Sequence, residues 1–540
     1  MQEGFNVACS FNKTVKGSLF PYRIMATKDL PDGIAILDFG GQYCHLIARR
    51  VRELNVYSEI LPSDARRADI EALDSVMNLK GIIFSGSPSS VKAQDALTLD
   101  PEILEMGVPV LGLCYGLQLL ANMYGGRLEK AREYGVTKAY IDEPMGILEG
   151  LTSCEMVWMS HGDTVFEVPP GWKPLARTDR APVAAMVHEE KQIWGLQWHP
   201  EVVHTEHGKE MLSNFVLKVC KAEPNWRPLD AVEEAVEKIK SIVGDGRAII
   251  ALSGGVDSSV AAALAARALG GRLMAVHVDQ GLMRMNESAG VYEAFKDRGL
   301  KLEVVDAKKR FLDRLDGIVE PEHKRKIIGE EFIRVFEEKA REFNADYLIQ
   351  GTIYPDRIES GLTKNSDTIK THHNVGGLPS SMEFKQVIDP LEDLYKDEVR
   401  GLGERLGLPK ELVWRQPFPG PGLAVRIVGP VTEEKLEVLR QADAIVVEEV
   451  EKHEFSDGLW QYFAVLTDTK STGVKGDERA YGYTVAVRIV ESIDAMTANF
   501  SFVPWEVLER ISNRIGNEIT SVTRIVYDIT HKPPSTIEWE

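Results

Sequence analysis

The chain has 540 residues, 44% hydrophobic and 27% charged, with a formal net charge of −19, a soluble globular composition long enough for about two to four domains. Its longest apolar stretch, Val260–Leu269, contains Arg267 and falls far short of the ~20 apolar residues that span a bilayer, so a membrane span is excluded. The acidic balance excludes nucleic acid as the main ligand, which needs a basic face, but not small phosphorylated substrates, for which a few local cations and backbone amides suffice.

Residues 1–32 read as an N-terminal extension. Between positions 4 and 28 there is no acidic residue but several Lys, Arg, Ser and Thr, a composition that fits an organellar targeting peptide or a disordered tail. The five cysteines, Cys9, Cys44, Cys114, Cys154 and Cys220, are odd in number and form no CxxC. That argues against a disulfide framework or zinc site and fits a reducing, cytoplasmic setting.

From residue 33 to 222, short apolar runs alternate with amphipathic stretches. Ile34–Leu37, Gly81–Phe84, Val108–Leu113 and Ile193–Trp198 read as buried strands, and Arg49–Leu54 and Gly116–Met123 as helices. Such alternation predicts a mainly parallel, doubly wound sheet. Val110–Gln118 (VLGLCYGLQ) is a strand, a sharp turn and a helix, a thiol version of a nucleophile elbow. Cys114 then stands at a helix N-terminus, where the dipole and free amides favour thiolate. His199 and Glu201, in Trp198-His-Pro-Glu201, follow a predicted strand, where catalytic groups of α/β sheets gather. A histidine can take the thiol proton, and a carboxylate can orient and stabilise the imidazolium.

Residues 34–219 thereby resemble the class I glutamine amidotransferases. The resemblance implies Cys114 as nucleophile, His199 as base and Glu201 as its orienter. Asp38-Phe-Gly-Gly41-Gln is similar to the family's first strand-turn and Ser85-Gly86-Ser87-Pro88 to its oxyanion strand, with amides near Gly86 and at Tyr115 holding the oxyanion. Gln118 and His161, in Ser160-His-Gly-Asp163, match positions that contact glutamine. Two departures stand out: Gly41 and Ser87 occupy positions where GMP synthetases commonly carry Ser and Gly.

Composition breaks at Lys221-Ala-Glu-Pro-Asn-Trp226, a linker signal. A second alternating set fills 223–415, with strands at Ala248–Leu252, Leu273–Val278, Leu302–Val305 and Tyr347–Ile349. Ser253-Gly254-Gly255-Val256-Asp257-Ser258-Ser259 links the first of these to an Ala-rich helix. Backbone amides at such a turn form an anion nest. No lysine follows it, as a P-loop would require. It resembles the pyrophosphate loop of N-type ATP pyrophosphatases, which implies ATP binding at residues 253–259 and beside Val278, with Asp257 supporting Mg²⁺, a cation that prefers oxygen ligands. Within the basic cluster Lys324-Arg325-Lys326, resemblance assigns Arg325 to the nucleotide substrate's phosphate. Asp356, Glu359, Lys370, His372, His373 and Lys385 fall in segments similar to those that close over both nucleotides in GMP synthetases. Paired glycines there suit a lid.

After the Pro/Gly-dense Gln416–Gly422, strands at Phe463–Leu466, Thr484–Ile489 and Arg524–Tyr527 and a helix at Pro504–Ile519 predict a small α+β domain over 416–540. The expected fold is thus α/β, two doubly wound mainly parallel-sheet domains followed by this α+β domain. Gly473–Tyr481, Asp494–Ala498 and the tail His531–Glu540 resemble GMP synthetases. That resemblance implies Gln461, Asp477, Lys532 and Glu538 as further contacts to xanthosine monophosphate (XMP), glutamine and ATP as co-substrates, and a homodimer. It implies a ligase that frees ammonia at Cys114, adenylylates XMP with expulsion of pyrophosphate, and aminates C2 with release of AMP. A different glutamine-dependent ligase, such as an NAD or asparagine synthetase, would share the ATP loop but not the tail. A scaffold without catalysis would have no use for Cys114, His199 and Glu201.

Overall fold

A computed structural model describes residues 30–227, 231–357, 384–492 and 497–540. The extension up to residue 29, the lid candidates Glu359, Lys370, His372 and His373, and residues 494–496 lie outside them. The chain divides into two compact units, ending at Arg227 and starting at Pro228. No described helix is long and apolar enough to cross a membrane.

The described residues of the first unit build a nine-stranded sheet ordered β2-β1-β3-β4-β9-β8-β7-β5-β6. Five strands are parallel: β1 (Asp32–Asp38), β2 (Tyr57–Pro62), β3 (Asn78–Phe84), β4 (Val110–Leu113) and β9 (Ile193–Leu196). They are apolar runs with few exposed positions, as strands covered on both faces must be. The other four, β5 (Arg127–Ile141), β6 (Cys154–Glu167), β7 (Lys173–Arg177) and β8 (Ala185–His188), join antiparallel. This half was absent from the sequence reading because β5 is largely polar and its burial alternates, the mark of a strand wetted on one face. Helix α1 (Cys44–Arg52) begins earlier than the predicted Arg49 and buries Ile47, Ala48 and Val51. Helix α2 (Tyr115–Met123) follows β4 directly.

In the second unit, a five-stranded parallel sheet has the order β12-β11-β10-β13-β14. Its strands are β10 (Ala248–Ala251), β11 (Leu273–Asp279), β12 (Lys301–Asp306), β13 (Tyr347–Ile349) and β14 (Gln386–Ile388). Helix α3 (Val256–Leu269) leaves the glycine turn after β10 and is buried along most of its length. Its alanines let it pack closely on helix α5 (Lys396–Arg405), where a side chain at Gly403 would meet Val260 and Val413. Helix α4 (Pro321–Phe343) starts with Glu320 capping the amides of Glu322 and His323 and Pro321 in its first turn. The basic cluster 324–326 therefore lies inside this helix.

A four-stranded sheet follows. Strands β15 (Gln461–Lys475) and β16 (Glu478–Glu491) form a long hairpin, β17 (Asn499–Phe500) extends it antiparallel, and β18 (Val522–Tyr527) pairs parallel with β16. Helices α6 (Glu433–Glu451) and α7 (Trp505–Glu518) cover one face. One continuous hydrophobic core runs from Ile249, Met274 and Leu348 through Leu423 and Leu439 to Val485, Val507 and Ile515, so the two sheets of this unit share their interior.

Candidate functional site

In the first unit, three adjacent strands, β3, β4 and β9, end at the same edge of the sheet. Each delivers part of one cluster within a few residues of its last ladder position. Cys114 ends β4 with φ +50° and ψ −100°, a conformation L-residues rarely adopt and one typical of strained functional turns. The turn is held because Cys114 N–H donates to Leu196 O of β9 at 2.7 Å. Glycine is required around it: a Cβ on Gly112 would lie 2.5 Å from the Gly116 carbonyl carbon, and one on Gly116 would lie 2.8 Å from Phe84 O.

His199 and Glu201, 4% and 1% exposed, are joined Nδ1 to Oε1 at 2.7 Å. Burial opposes a charge on the ring. The Glu201 carboxylate and the hydrogen-bonded Cys114 nonetheless hold the His199 pKa well above its ordinary value, so the site favours the imidazolium form of His199. Gly86 borders both groups, since a Cβ there would stand 3.1 Å from His199 Cε1 and 3.7 Å from Cys114 Cβ. Tyr115 is the first residue of α2, its hydroxyl donating to Leu97 O at 2.6 Å. Gln118 and His161 share one acceptor, the Asp163 carbonyl, at 2.7 and 2.9 Å. Burial lowers the His161 pKa to about 4, so this second imidazole is neutral at ordinary pH. Cys44 is a thiol whose pKa burial and Asp38 push well above the ordinary value, a packing residue in chemical terms.

Gly41 packs against the turn at Gly86. A Cβ there would come 2.4 Å from Gly86 O, so a serine at 41 requires that turn to move. Ser87 turns its hydroxyl to accept from Ser89 N–H at 3.2 Å.

In the second unit, Ser253–Ser259 wraps the N-terminus of α3. Gly254 has φ +82°, and Gly255 caps the helix. Ser253 Oγ lies 2.9 Å from Ser258 Oγ and accepts from Gly255 N–H at 3.3 Å. Gly351 closes against this turn; its Cβ would be 2.8 Å from the Asp257 carbonyl carbon. Lys396, at the start of α5, places Nζ 3.1 Å from Asp257 Oδ2, while Asp257 Oδ1 is buried without a hydrogen-bond partner. Val278 is buried in β11, and Ser259 on α3. Asp356 and Lys385 flank the segment outside the described residues; Lys385 pairs with Asp346 at 2.7 Å.

A third cluster surrounds the chain's last residues. Arg426, fully buried, grips Glu538 through two hydrogen bonds of 2.9 and 2.8 Å. Gln461 Nε2 donates to Glu538 Oε1 at 3.3 Å. Arg325 donates to the main-chain oxygen of Glu540. Lys532 lies upstream in the same tail, its backbone paired with Ala498. A cavity of about 690 Å³ lies behind Trp539 and Glu540, lined also by Thr467, Asp468 and Arg524. None of the residues expected from sequence to bind XMP lines it.

The class-I glutamine amidotransferase family model matches residues 35–219, and the GMP synthase C terminal domain model matches 448–539. Glutamine-hydrolysing GMP synthases of Clostridium tetani (strain Massachusetts / E88) and Lactobacillus gasseri are 53% and 51% identical to the chain. The matches cover 94% of this chain and 99% and 98% of those proteins. The chain belongs to the glutamine-hydrolysing GMP synthases. A solved glutamine amidotransferase of Thermotoga maritima is 18% identical over 36% of this chain and 86% of that one, with a TM-score of 0.27.

Set beside the family's expected XMP contacts, one residue falls out of place. Asp477 is exposed at the tip of the β15–β16 hairpin, whereas Gln461 begins β15 at the opposite end. Fifteen residues of strand at about 3.3 Å each separate them by roughly 45 Å. Within one chain, Asp477 does not join Gln461, Glu538 and Arg325. The cause is the length of the hairpin, whose register shifts once between Leu466 and Lys470 and whose tip is signalled by Lys475-Gly-Asp-Glu478, a two-residue turn between long β-prone runs.

Several residues at these clusters escaped sequence reasoning. Thr205 donates to His199 O at 2.6 Å and accepts from Trp158 N–H at 3.1 Å, fixing the histidine's backbone. Arg50 Nε donates to Glu201 O at 3.0 Å. Lys396 is marked in the sequence by resemblance, within Pro390–Arg400, but its pairing with Asp257, 139 residues away, has no local signal. Arg426 belongs to no motif, and Lys324 stands in a basic cluster; both are fully buried beneath the tail.

Proposed function

We propose that this chain makes GMP from XMP and ATP with nitrogen from glutamine, through an adenylyl-XMP intermediate, releasing AMP, pyrophosphate and glutamate. The observation that carries the reading is that a chain of this family combines a strained Cys114 beside the buried His199–Glu201 pair with a lysine-free phosphate nest at Ser253–Ser259.

Residues 33–222 are the glutaminase domain. Cys114 Sγ attacks the glutamine carboxamide carbon, and His199 passes a proton to the departing nitrogen, releasing ammonia. Water then displaces the acyl group from sulfur as glutamate. Amides near Gly86 and at Tyr115 hold the oxyanion, while Gln118 and His161 border the glutamine. Residues 223–415 bind ATP, with backbone amides and hydroxyls of residues 253–259 on its phosphates and Val278 beside the adenosine. The unpartnered Asp257 Oδ1 and the neighbouring hydroxyls suit Mg²⁺, which would be held by Asp257 and the phosphates and would neutralise charge on the departing pyrophosphate. XMP O2 attacks the α-phosphorus, and pyrophosphate leaves. Ammonia then adds at C2 and expels AMP, because an oxide alone is a poor leaving group. Ammonia must arrive as neutral NH₃, which favours shielding from water. Asp356 and Lys385 flank the segment whose sequence resembles the one that covers both nucleotides in the family.

Residues 416–540 complete the XMP site with Arg325, Gln461, Lys532 and Glu538, and form a homodimer. Phe502 and Trp505, 87% and 81% exposed, offer apolar surface for it. Asp477 contacts XMP only if its hairpin tip reaches a second copy. The reaction is cytoplasmic. Mass spectrometry of products from XMP, ATP and amide-¹⁵N glutamine tests the reading: labelled GMP with AMP and pyrophosphate is expected, and ADP with inorganic phosphate overturns it.

A further inference from the structure

We propose that Lys324, held by Glu540, is a positioning residue for the XMP half of the reaction, clamping the chain's last residues so that Glu538 and Arg325 are set for the nucleotide. The inference rests on the assignment of Arg325 and Glu538 to XMP.

Lys324 is fully buried, an unusual place for an ammonium unless each of its three N–H donors is used. They are. Nζ donates to Ile427 O at 2.7 Å, to Ala424 O at 3.3 Å and to the Glu540 carboxylate. The other Glu540 oxygen accepts from Gly429 N–H at 3.2 Å. Two residues back, Glu538 takes both arms of Arg426. One short segment, residues 424–429, thus supplies Arg426 and the Gly429 amide to the two terminal acids and two carbonyls to Lys324. A third buried cation, Arg488, holds the preceding stretch through Thr530 O, Ser535 Oγ and Thr536 O. Burial alone lowers the Lys324 pKa, and Glu540 opposes that fall; without the carboxylate, the ammonium is left in a site that disfavours its charge.

Arg325 is the next residue on α4, partly exposed, with its guanidinium on the main-chain oxygen of Glu540. The helix turn therefore divides its work. Lys324 fixes the tail from below, and Arg325 presents a cation at the rim, suited to a phosphate. A shift of Glu540 displaces Glu538 and the resting place of Arg325 together, and misplacements of about 1 Å are costly at such sites.

The test uses full-length Glu540→Ala, Glu540→Asp, Lys324→Met and Arg325→Ala. The first and third are expected to raise KM for XMP by about tenfold or more, with KM for ATP and basal glutaminase activity within about twofold of the parent. Glu540→Asp recovers much of the loss. The Lys324→Met/Glu540→Ala double variant is no worse than either single one, because both remove the same contact. A folded Glu540→Ala protein with unchanged KM for XMP overturns the inference, provided Arg325→Ala raises that KM. If Arg325→Ala leaves it unchanged, the assignment of the XMP site itself is wrong.

Discussion

The two chemical centres are built by different logic. At the first, sheet order does the assembly: Gly86, Cys114 and His199 each stand within a few residues of the ends of three neighbouring parallel strands, β3, β4 and β9. In the second unit, the glycine turn at Ser253–Ser259 is equally local, but the charged pairs there and in the tail cluster come from afar. Lys396 reaches Asp257 across 139 residues, and Glu540 reaches Lys324 across 216. A centre made at strand ends depends on glycines and backbone strain. One made by long-range clamps depends on buried charges finding their partners.

The sharpest test of that division removes the thiol. Cys114→Ala should cut glutamine-dependent GMP formation by about 10³-fold or more, yet leave ammonia-dependent formation close to the parent rate. Loss of both activities would mean that the centres are not chemically separable. Asp257→Asn gives the mirror image. AMP release should fall by about 100-fold while basal glutaminase activity persists; a shared loss would again break the comparison.

A smaller effect is expected from Glu201→Gln, about 10–100-fold in glutaminase turnover, with a pH signature. The native His199 pKa is raised. Its stabilising charge is fully present below the ordinary value of 6.5 and is lost as pH rises through the raised one. Glu201→Gln removes most of that support, so its melting-temperature deficit should be largest at mildly acidic pH and shrink as pH rises. A deficit independent of pH would assign Glu201 to packing alone. The mildest change is Gly41→Ser, whose side chain meets Gly86 O. A drop of about threefold to tenfold in glutaminase kcat, without change in ammonia-dependent synthesis, would show that the backbone at the Gly86 turn tolerates little displacement.

The contrast also explains what could be read from residues alone. The parallel strands, the elbow at Cys114 and the glycine turn at 253–259 are legible because each combines a buried apolar run with an adjacent turn residue. The antiparallel half of the first sheet is not, because β5 and β6 carry alternating polar positions that resemble solvated loops. Lys324 is illegible for the opposite reason: a lysine among charged neighbours ordinarily faces water, and only a tail more than 200 residues away makes it an interior group. Asp477 was placed by resemblance with Gln461; the turn at Lys475–Glu478 marks a hairpin tip but does not say how far that tip stands from Gln461.

The continuous interior of the second unit carries a lesson for dissecting the protein. Because Ile249 and Met274 of one sheet and Val485 and Ile515 around the other belong to one apolar cluster, a truncation after residue 415 would leave the five-stranded sheet with an uncovered greasy face. Such a fragment is expected to precipitate when expressed by itself, so the nucleotide chemistry should be inherited, engineered or lost as one block.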